Sequence, residues 1–359
     1  MRKLGLVTTL ALAGAVFATP GQASEQASPD TSPDNFTTVV ASTVVAAPVV
    51  TEVTTTTNLK TITRGISRLA PGGGGGGTGV GAPGQAQTSF LEGQQGMAAG
   101  GGEGKLGIWV NSGWSDIEND LSSTAMDGDV FSVFGGADYM VTDRLFLGVS
   151  AGWETSDIDT TFNRGTIESD GFTIAPYALF VINNWLTFDA SAGYSWLNYD
   201  TTRTNLGGTL VNGSFDSNRW FASANLTGYY SVNNWNLSGS VGYLYTKEEQ
   251  DSFTESDGTL NRDQTVKLGQ INVGATVGYS LGKMEPYVTA TYQIDTTRTD
   301  VVVGANQAQP ANDETGFILG GGVRFSLSDR VSGALEATTE EGREDVSSTT
   351  VNGTIRIRF

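Results

Sequence analysis

The chain contains neither cysteine nor histidine. Without a thiolate or an imidazole, serine–histidine and cysteine–histidine catalysis are excluded, and so are ordinary zinc sites. A disulfide framework is excluded with them. Basic residues are scarce: 20 Lys and Arg stand against 38 Asp and Glu, a formal net charge of −18. That balance argues against nucleic-acid binding and suits a solvated, acidic exterior. Carboxylate pairs could still do acid–base work, but the acidic residues fall mostly in expected loops. The chain is therefore expected not to be an enzyme, and no cofactor or metal is expected.

Long apolar runs are nearly absent too. The one clear case, Leu4 to Ala18, follows Met1-Arg2-Lys3 and is broken by Pro20 and Gly21. It is too short for the roughly 20 residues of a spanning helix. A basic start, an apolar run and small residues before a cut make residues 1–23 a secretory signal peptide, cleaved after Ala23. Residues 24–57 are rich in Ser, Thr, Val and Pro and are expected to be a disordered or loosely extended exported segment. Over 58–71, Asn58 can cap a helix, and Leu59, Ile62, Ile66 and Leu69 recur at helical spacing. Lys60, Arg64 and Arg68 lie on another flank, and Pro71 with Gly72 ends it. This short helix either lies on a surface or is held near or inside an acidic pore. Residues 72–104 open on six consecutive glycines, Gly72 to Gly77, and read as a flexible linker. No Lys followed by Ser or Thr accompanies them, so they are not a phosphate loop.

What the remainder has in abundance is alternation. In 185–196, Leu186, Phe188, Ala190, Ala192, Tyr194 and Trp196 fall on one face, and Thr187, Asp189, Ser191, Gly193 and Ser195 on the other. The final residues repeat the pattern: Val351, Ile355, Ile357 and Phe359 oppose Asn352, Thr354, Arg356 and Arg358. Aromatics bracket the apolar stripes, with Trp153, Trp196, Trp235, Tyr243 and Tyr279 as candidate membrane-interface residues. About twelve strands are expected over 105–359, centred near 109, 134, 149, 175, 190, 224, 241, 272, 290, 321, 335 and 354. Every second connection is a tight turn, as at Asn183-Asn184 and Leu281-Gly282-Lys283. The others are expected to be long polar loops at 116–127, 155–169, 200–216, 247–263 and 295–314. A soluble sandwich has no reason to sort its connections onto two ends in this way. The fold class is all-β: a transmembrane antiparallel barrel preceded by a signal peptide, a short helix and a Gly-rich linker.

The same register places Asp138, Glu154, Asp189, Asn225, Gln270, Glu285, Gln293, Arg324, Arg356 and Arg358 toward the lumen. They are either structural ion pairs that fill it or a filter for solutes. About twelve strands leave a narrow pore, which a threaded linker would mostly plug. The runs Glu248-Glu249-Gln250-Asp251 and Glu340-Glu341-Gly342-Arg343-Glu344-Asp345 read as solvated external loops.

Several segments also carry a family resemblance. They are Leu106-Gly107-Ile108-Trp109-Val110, Phe134-Gly135-Gly136-Ala137-Asp138-Tyr139, Glu285-Pro286-Tyr287-Val288, Gly320-Gly321-Gly322-Val323-Arg324-Phe325 and the terminal Ile357-Arg358-Phe359. Over about residues 103–359 the chain resembles the C-terminal translocator domain of type V autotransporters. The resemblance implies a twelve-stranded barrel in a Gram-negative outer membrane, with a helix or linker in its pore leading to an N-terminal passenger. It also implies that the terminal signature, Ile355, Ile357 and Phe359, is read by the barrel assembly machinery. The expected partners are thus outer-membrane lipid, that machinery and the chain's own linker. The short N-terminal segment departs from the family, whose passengers are long, and it shows no solenoid repeat. Two functions stay open: a barrel that anchors or translocates this segment, or a standalone narrow pore or structural surface protein.

Overall fold

The computed structural model describes residues 48–56, 105–301, 303, 307–344 and 346–359. The expected signal peptide, the helix over 58–71 and the linker over 72–104 lie outside these residues. From the N-terminal side the strands are β1 (Leu106–Asn119), β2 (Met126–Thr142), β3 (Leu145–Thr160), β4 (Gly165–Asn183), β5 (Leu186–Thr204), β6 (Leu210–Val232) and β7 (Trp235–Gln250). Two short strands follow, β8 (Phe253–Thr254) and β9 (Leu260–Asn261). The remainder are β10 (Gln264–Tyr279), β11 (Met284–Arg298), β12 (Thr315–Ser326), β13 (Val331–Glu341) and β14 (Val346–Arg358).

Twelve of these strands close on themselves, every neighbour antiparallel, while β8 and β9 pair only with each other. Closure is made by β14 against β1, from Gly107 opposite Arg358 to Asn119 opposite Val346. Every strand edge in the barrel is thereby paired, as a wall in lipid requires. All twelve expected strand centres fall inside these strands.

The loops differ from expectation. Strands run through most of the stretches read as loops, leaving only 161–164 between β3 and β4 and 205–209 between β5 and β6. Polar residues on both faces do not end a strand; they let pairing continue out of the membrane into water. Two long connections remain, 251–263, which carries β8 and β9, and 299–314. At the opposite end the tight turns are as expected, with Asn233 and Gly282 both at positive φ, a conformation that Asn and Gly tolerate.

The outer surface carries the apolar stripes. On β7, Trp235, Leu237, Val241 and Tyr243 are exposed and Leu244, Thr246, Glu248 and Gln250 are buried. Trp235 lies edge-on to Tyr279 at 4.9 Å near the tight-turn end, and Tyr194 edge-on to Trp196 at 4.9 Å toward the other. About ten residues of tilted strand separate the two levels on β7, close to the ~25 Å apolar band of such barrels.

Residues 48–56 correct the expectation of disorder over 24–57: they form a helix, α1, buried among the inward-facing side chains. Its residues, Pro48-Val49-Val50-Thr51-Glu52-Val53-Thr54-Thr55-Thr56, are nearly all poor helix formers. Local propensity thus hides the helix, and the barrel interior supplies what propensity does not.

Candidate functional site

The site is the lumen with α1 in it. Pro48 suits a first helical turn, where its missing N–H costs nothing. Val49, Val50 and Val53 form an apolar side that packs on Ile117, Met126, Val130, Ile158, Ile167 and Leu197. The other side is held by polar contacts to the wall. Thr51 Oγ1 donates to Glu248 Oε2 at 2.9 Å, and Thr55 Oγ1 meets Thr246 Oγ1 at 3.4 Å. Thr54 and Thr56 turn back to the carbonyls of Val50 and Glu52. Glu52 is the helix's one charge. It sits 2.8 Å from Arg343 Nη2 and 3.4 Å from Arg298 Nη2.

Both arginines are held in turn by Asp295, at 3.0 Å each, and Arg343 also by Glu340 at 3.0 Å. A second buried cluster centres on Arg219, whose Nη1 reaches Glu154 and whose Nε reaches Glu248, both at 2.9 Å. The Tyr199 hydroxyl and Ser217 Oγ also donate to Glu248 Oε1, at 2.9 and 3.0 Å. Glu248 and Arg343 are therefore not loop charges in water, as their runs suggested. Alternation turns Glu248 inward on β7, and the Glu52 and Asp295 carboxylates draw Arg343 inward; both side chains are buried. Each carboxylate has an arginine within ion-pair range, the condition under which buried charge is tolerated.

Toward the tight-turn end a third network crosses the closing seam. Arg356 on β14 pairs with Asp138 on β2, while β1 runs between them. The Tyr177 hydroxyl donates to Asp138 Oδ2 at 3.0 Å and accepts from Trp109 Nε1 at 2.7 Å. Arg358 lies on the same inward face, opposite Gly107. On the far wall Arg324 meets Glu285 at 2.5 Å and stacks over the Tyr287 ring at 4.1 Å. Asp189 is buried and accepts from Asn225 Nδ2 at 2.8 Å. Below α1 these walls leave a cavity of about 310 Å³, lined among others by Thr56, Asp189, Asn225, Tyr229, Arg324 and Glu336.

The lumen is also more apolar than its sequence register suggested. Trp109, Phe134, Tyr177 and Phe221 point inward and are buried in one cluster with Leu179 and Leu244. The aromatic rings lie over glycines of neighbouring strands: Trp109 over Gly136, Phe134 over Gly152, Tyr177 over Gly148, Phe221 over Gly193. A Cβ at any of the four would collide with the ring. Read singly, Trp109 or Phe134 carries no sign of which face it takes. The sequence signal was the cross-strand partner glycine, visible only once register is known.

The outer mouth is covered. Phe253 of β8 stacks on Phe215 at 4.8 Å, and Phe215 on Tyr199 at 4.8 Å. Arg203 Nε donates to Glu255 Oε1 at 2.9 Å, tying the β8–β9 hairpin to β5. Hydrogen bonds from the side chain and backbone of Thr259 hold the Asp257 carboxyl at the hairpin tip below the usual carboxylate range. Connection 299–314 reaches across as well, Ser123 Oγ donating to the Ala308 carbonyl, with Val301 and Val303 packed on Phe162.

The remaining candidates are placed as follows. Trp153, Trp196, Trp235, Tyr243 and Tyr279 all expose their rings on the outer wall, and the side chains of Ile355, Ile357 and Phe359 are exposed there too. Asp189, Glu285, Arg324, Arg356 and Arg358 all sit on the inner face. The structure does not bring them to one point: Glu285 and Arg324 pair with each other, Arg356 pairs with Asp138, and Asp189 accepts from Asn225. The cluster nearest α1 (Arg219, Arg298, Arg343, Glu248, Asp295) was not among the site residues that the sequence suggested.

A closed antiparallel barrel of twelve strands, apolar outside between aromatic levels and plugged inside by a helix, is an outer-membrane barrel of the translocator class. The family model of the autotransporter beta-domain matches residues 108–338, and the chain belongs to that family. Its place is the Gram-negative outer membrane. The translocator domain of the autotransporter NalP from Neisseria meningitidis superposes with a TM-score of 0.62 at 14% identity, covering 77% of this chain and 97% of that one. The beta domain of the Bordetella autotransporter BrkA gives 0.60 at 14% identity, covering 71% and 100%. The transport unit of AIDA-I from Escherichia coli gives 0.54 at 12%, covering 71% and 90%. At such identities the likeness concerns the fold. No curated protein sequence matches the chain.

Proposed function

We propose that this barrel carries its own short N-terminal segment across the outer membrane and anchors it there, with the residues before Pro48 displayed on the cell surface. The observation that supports this is the direction of α1. β7 climbs from the tight-turn, periplasmic end to the outer end, and α1 descends beside it, Thr51 at Glu248 and Thr55 at the lower Thr246. The N-terminus of α1 thus faces outward, and Thr56 lines the lower cavity. A chain that enters the lumen from the outside at Pro48 and begins its barrel at the periplasmic rim has passed through the pore. The linker is the proposed connection through the lower lumen. A standing pore is less well supported, because α1 lies in the lumen and the β8–β9 hairpin packs on Phe215 and Arg203 at the outer end.

Intact cells carrying an epitope within residues 24–47 should lose it to added protease while the barrel survives. Protection of the epitope, with external loops cut normally, would overturn the export reading.

The terminal residue is proposed as an assembly signal. Phe359 exposes its ring on the lipid side and its N–H donates to the Leu106 carbonyl at 2.9 Å, so a seam role competes. Deleting Phe359 should lower the amount of barrel inserted in cells several-fold, yet leave refolding of the pure chain into detergent unchanged. Equal loss in both settings would assign Phe359 to the seam instead.

A further inference from the structure

The β8–β9 hairpin and α1 rest on one seat. Two strands of two residues each cannot hold a hairpin in water by themselves, so what keeps this one down is the wall beneath it. Its backbone is tied to β6 twice: Asp251 N–H donates to the Asp216 carbonyl at 3.0 Å, and Ser256 N–H to the Asn212 carbonyl at 2.8 Å. Arg203 on β5 takes the Glu255 carboxylate, and both side chains are buried. Phe253 lies over Gly213, where a Cβ would collide with the ring, and stacks on Phe215.

The stack then runs inward. Phe215 lies parallel to Tyr199, the two planes 4° apart, and both belong to the apolar cluster of Val49, Val50 and Val53. The Tyr199 hydroxyl donates to Glu248, the carboxylate that also accepts from Thr51 of α1. Hairpin and helix thus share one cluster and, through Tyr199, one carboxylate. Taking α1 away removes three valines from that cluster and leaves the Phe253 seat incomplete. Lifting the hairpin exposes the same cluster to water. Coupling of this kind is reciprocal: the hairpin stabilises the seated helix by the factor with which the helix stabilises the closed hairpin.

We propose that the hairpin is a latch set by α1. It stands open while the chain passes outward and closes once the valines of α1 complete its seat. Closed, it holds α1 at its height in the lumen, and with it the length of chain displayed outside. The outward passage rests on the export reading above; the latch rests on the shared seat alone.

The first measurement is hydrogen exchange, followed by mass spectrometry, on the purified full-length barrel in detergent and on the chain lacking residues 48–56. Without α1 the amides of 251–263 should exchange roughly tenfold faster, as local opening becomes easier, while those of the β2–β3 turn keep their rate. The second uses the absence of cysteine. The thiol of Val50→Cys, in the folded full-length chain, is offered a charged maleimide. It should label slowly in the parent background and roughly tenfold faster with F253A/E255Q, because a buried thiol reacts only from the open state. Ser123→Ala, which loosens connection 299–314 instead, should leave the labelling rate as in the parent. Folding of each variant is read from its heat-modifiable gel mobility, and Glu255→Gln serves alone if the double variant does not fold. Unchanged exchange over 251–263 in the chain lacking α1 would overturn the proposal. So would a parental labelling rate in F253A/E255Q, or equal acceleration by Ser123→Ala, which would mean that any loosening of the mouth frees the helix. If both measurements come out as expected and the epitope is nevertheless protected on cells, the export reading fails and the latch stands.

Discussion

Replacing Glu52 with lysine should release α1 from the lumen and convert a closed barrel into a conducting one. Glu52 is the single charge of the helix and lies between Arg298 and Arg343. A lysine there sets a third cation against those two. Even simple removal of one partner of a buried pair costs about 3–5 kcal/mol. The arginines keep Asp295 and Glu340, so Glu52→Gln should fall toward or below the lower bound and Glu52→Lys well above it. Apart from these ion pairs the helix is held by its valine packing and the Thr51 and Thr55 contacts to the wall, and by little of its own. A nine-residue helix is not stable alone in water, and Val and Thr each fall roughly 0.5 kcal/mol below Ala in helix propensity. Single-channel recording in planar bilayers reads the outcome: near-silent parent, intermittent openings in Glu52→Gln, sustained openings in Glu52→Lys. A chain lacking residues 48–56 sets the upper limit. If Glu52→Lys stays silent while that deletion conducts, the ion pairs do not hold the plug.

Replacing Asp138 with alanine should destabilise the barrel at its seam. Arg356 is almost completely buried, and its carboxylate partner would be gone; the Tyr177 hydroxyl would lose its acceptor in the same step. The expected loss is about 3–5 kcal/mol, the cost of removing one partner of a buried ion pair. The paired change D138L/R356M removes both charges at similar volume and should recover most of it, because desolvation no longer has to be offset. Urea unfolding of the barrel in detergent, followed by tryptophan emission, measures both. Equal midpoints for the alanine variant and the parent would show that the seam is held by backbone pairing alone. Failure of the double change to recover would instead assign the effect to the shape of the Tyr177–Trp109 contact.

Much of this fold was legible from the sequence because a membrane wall leaves few choices. Side chains alternate with period two, one face must suit lipid, and every edge must be paired. Leu186 to Trp196 and Val351 to Phe359 therefore announced their faces without any neighbour present. Loop lengths were less legible. Residues 155–169 look like a loop when judged by polarity, yet β3 and β4 pair through most of them, from Thr155 opposite Asp170 to Thr160 opposite Gly165. Polarity reports contact with water, and a strand above the membrane touches water on its outer face.

The chain by itself determined the barrel, the inward and outward sets, and the exclusion of histidine- and cysteine-based chemistry. Those are local properties: residue type, period and presence. The plug was decided only in three dimensions. Nothing in Val49 to Thr56 favours a helix over an extended strand, and Arg343 reads as one charge in an acidic run. What joins them is closure of the wall, which sets Glu52 within 2.8 Å of a residue 291 positions away and buries both. A buried carboxylate and guanidinium select each other by proximity, and proximity is what a linear pattern does not contain.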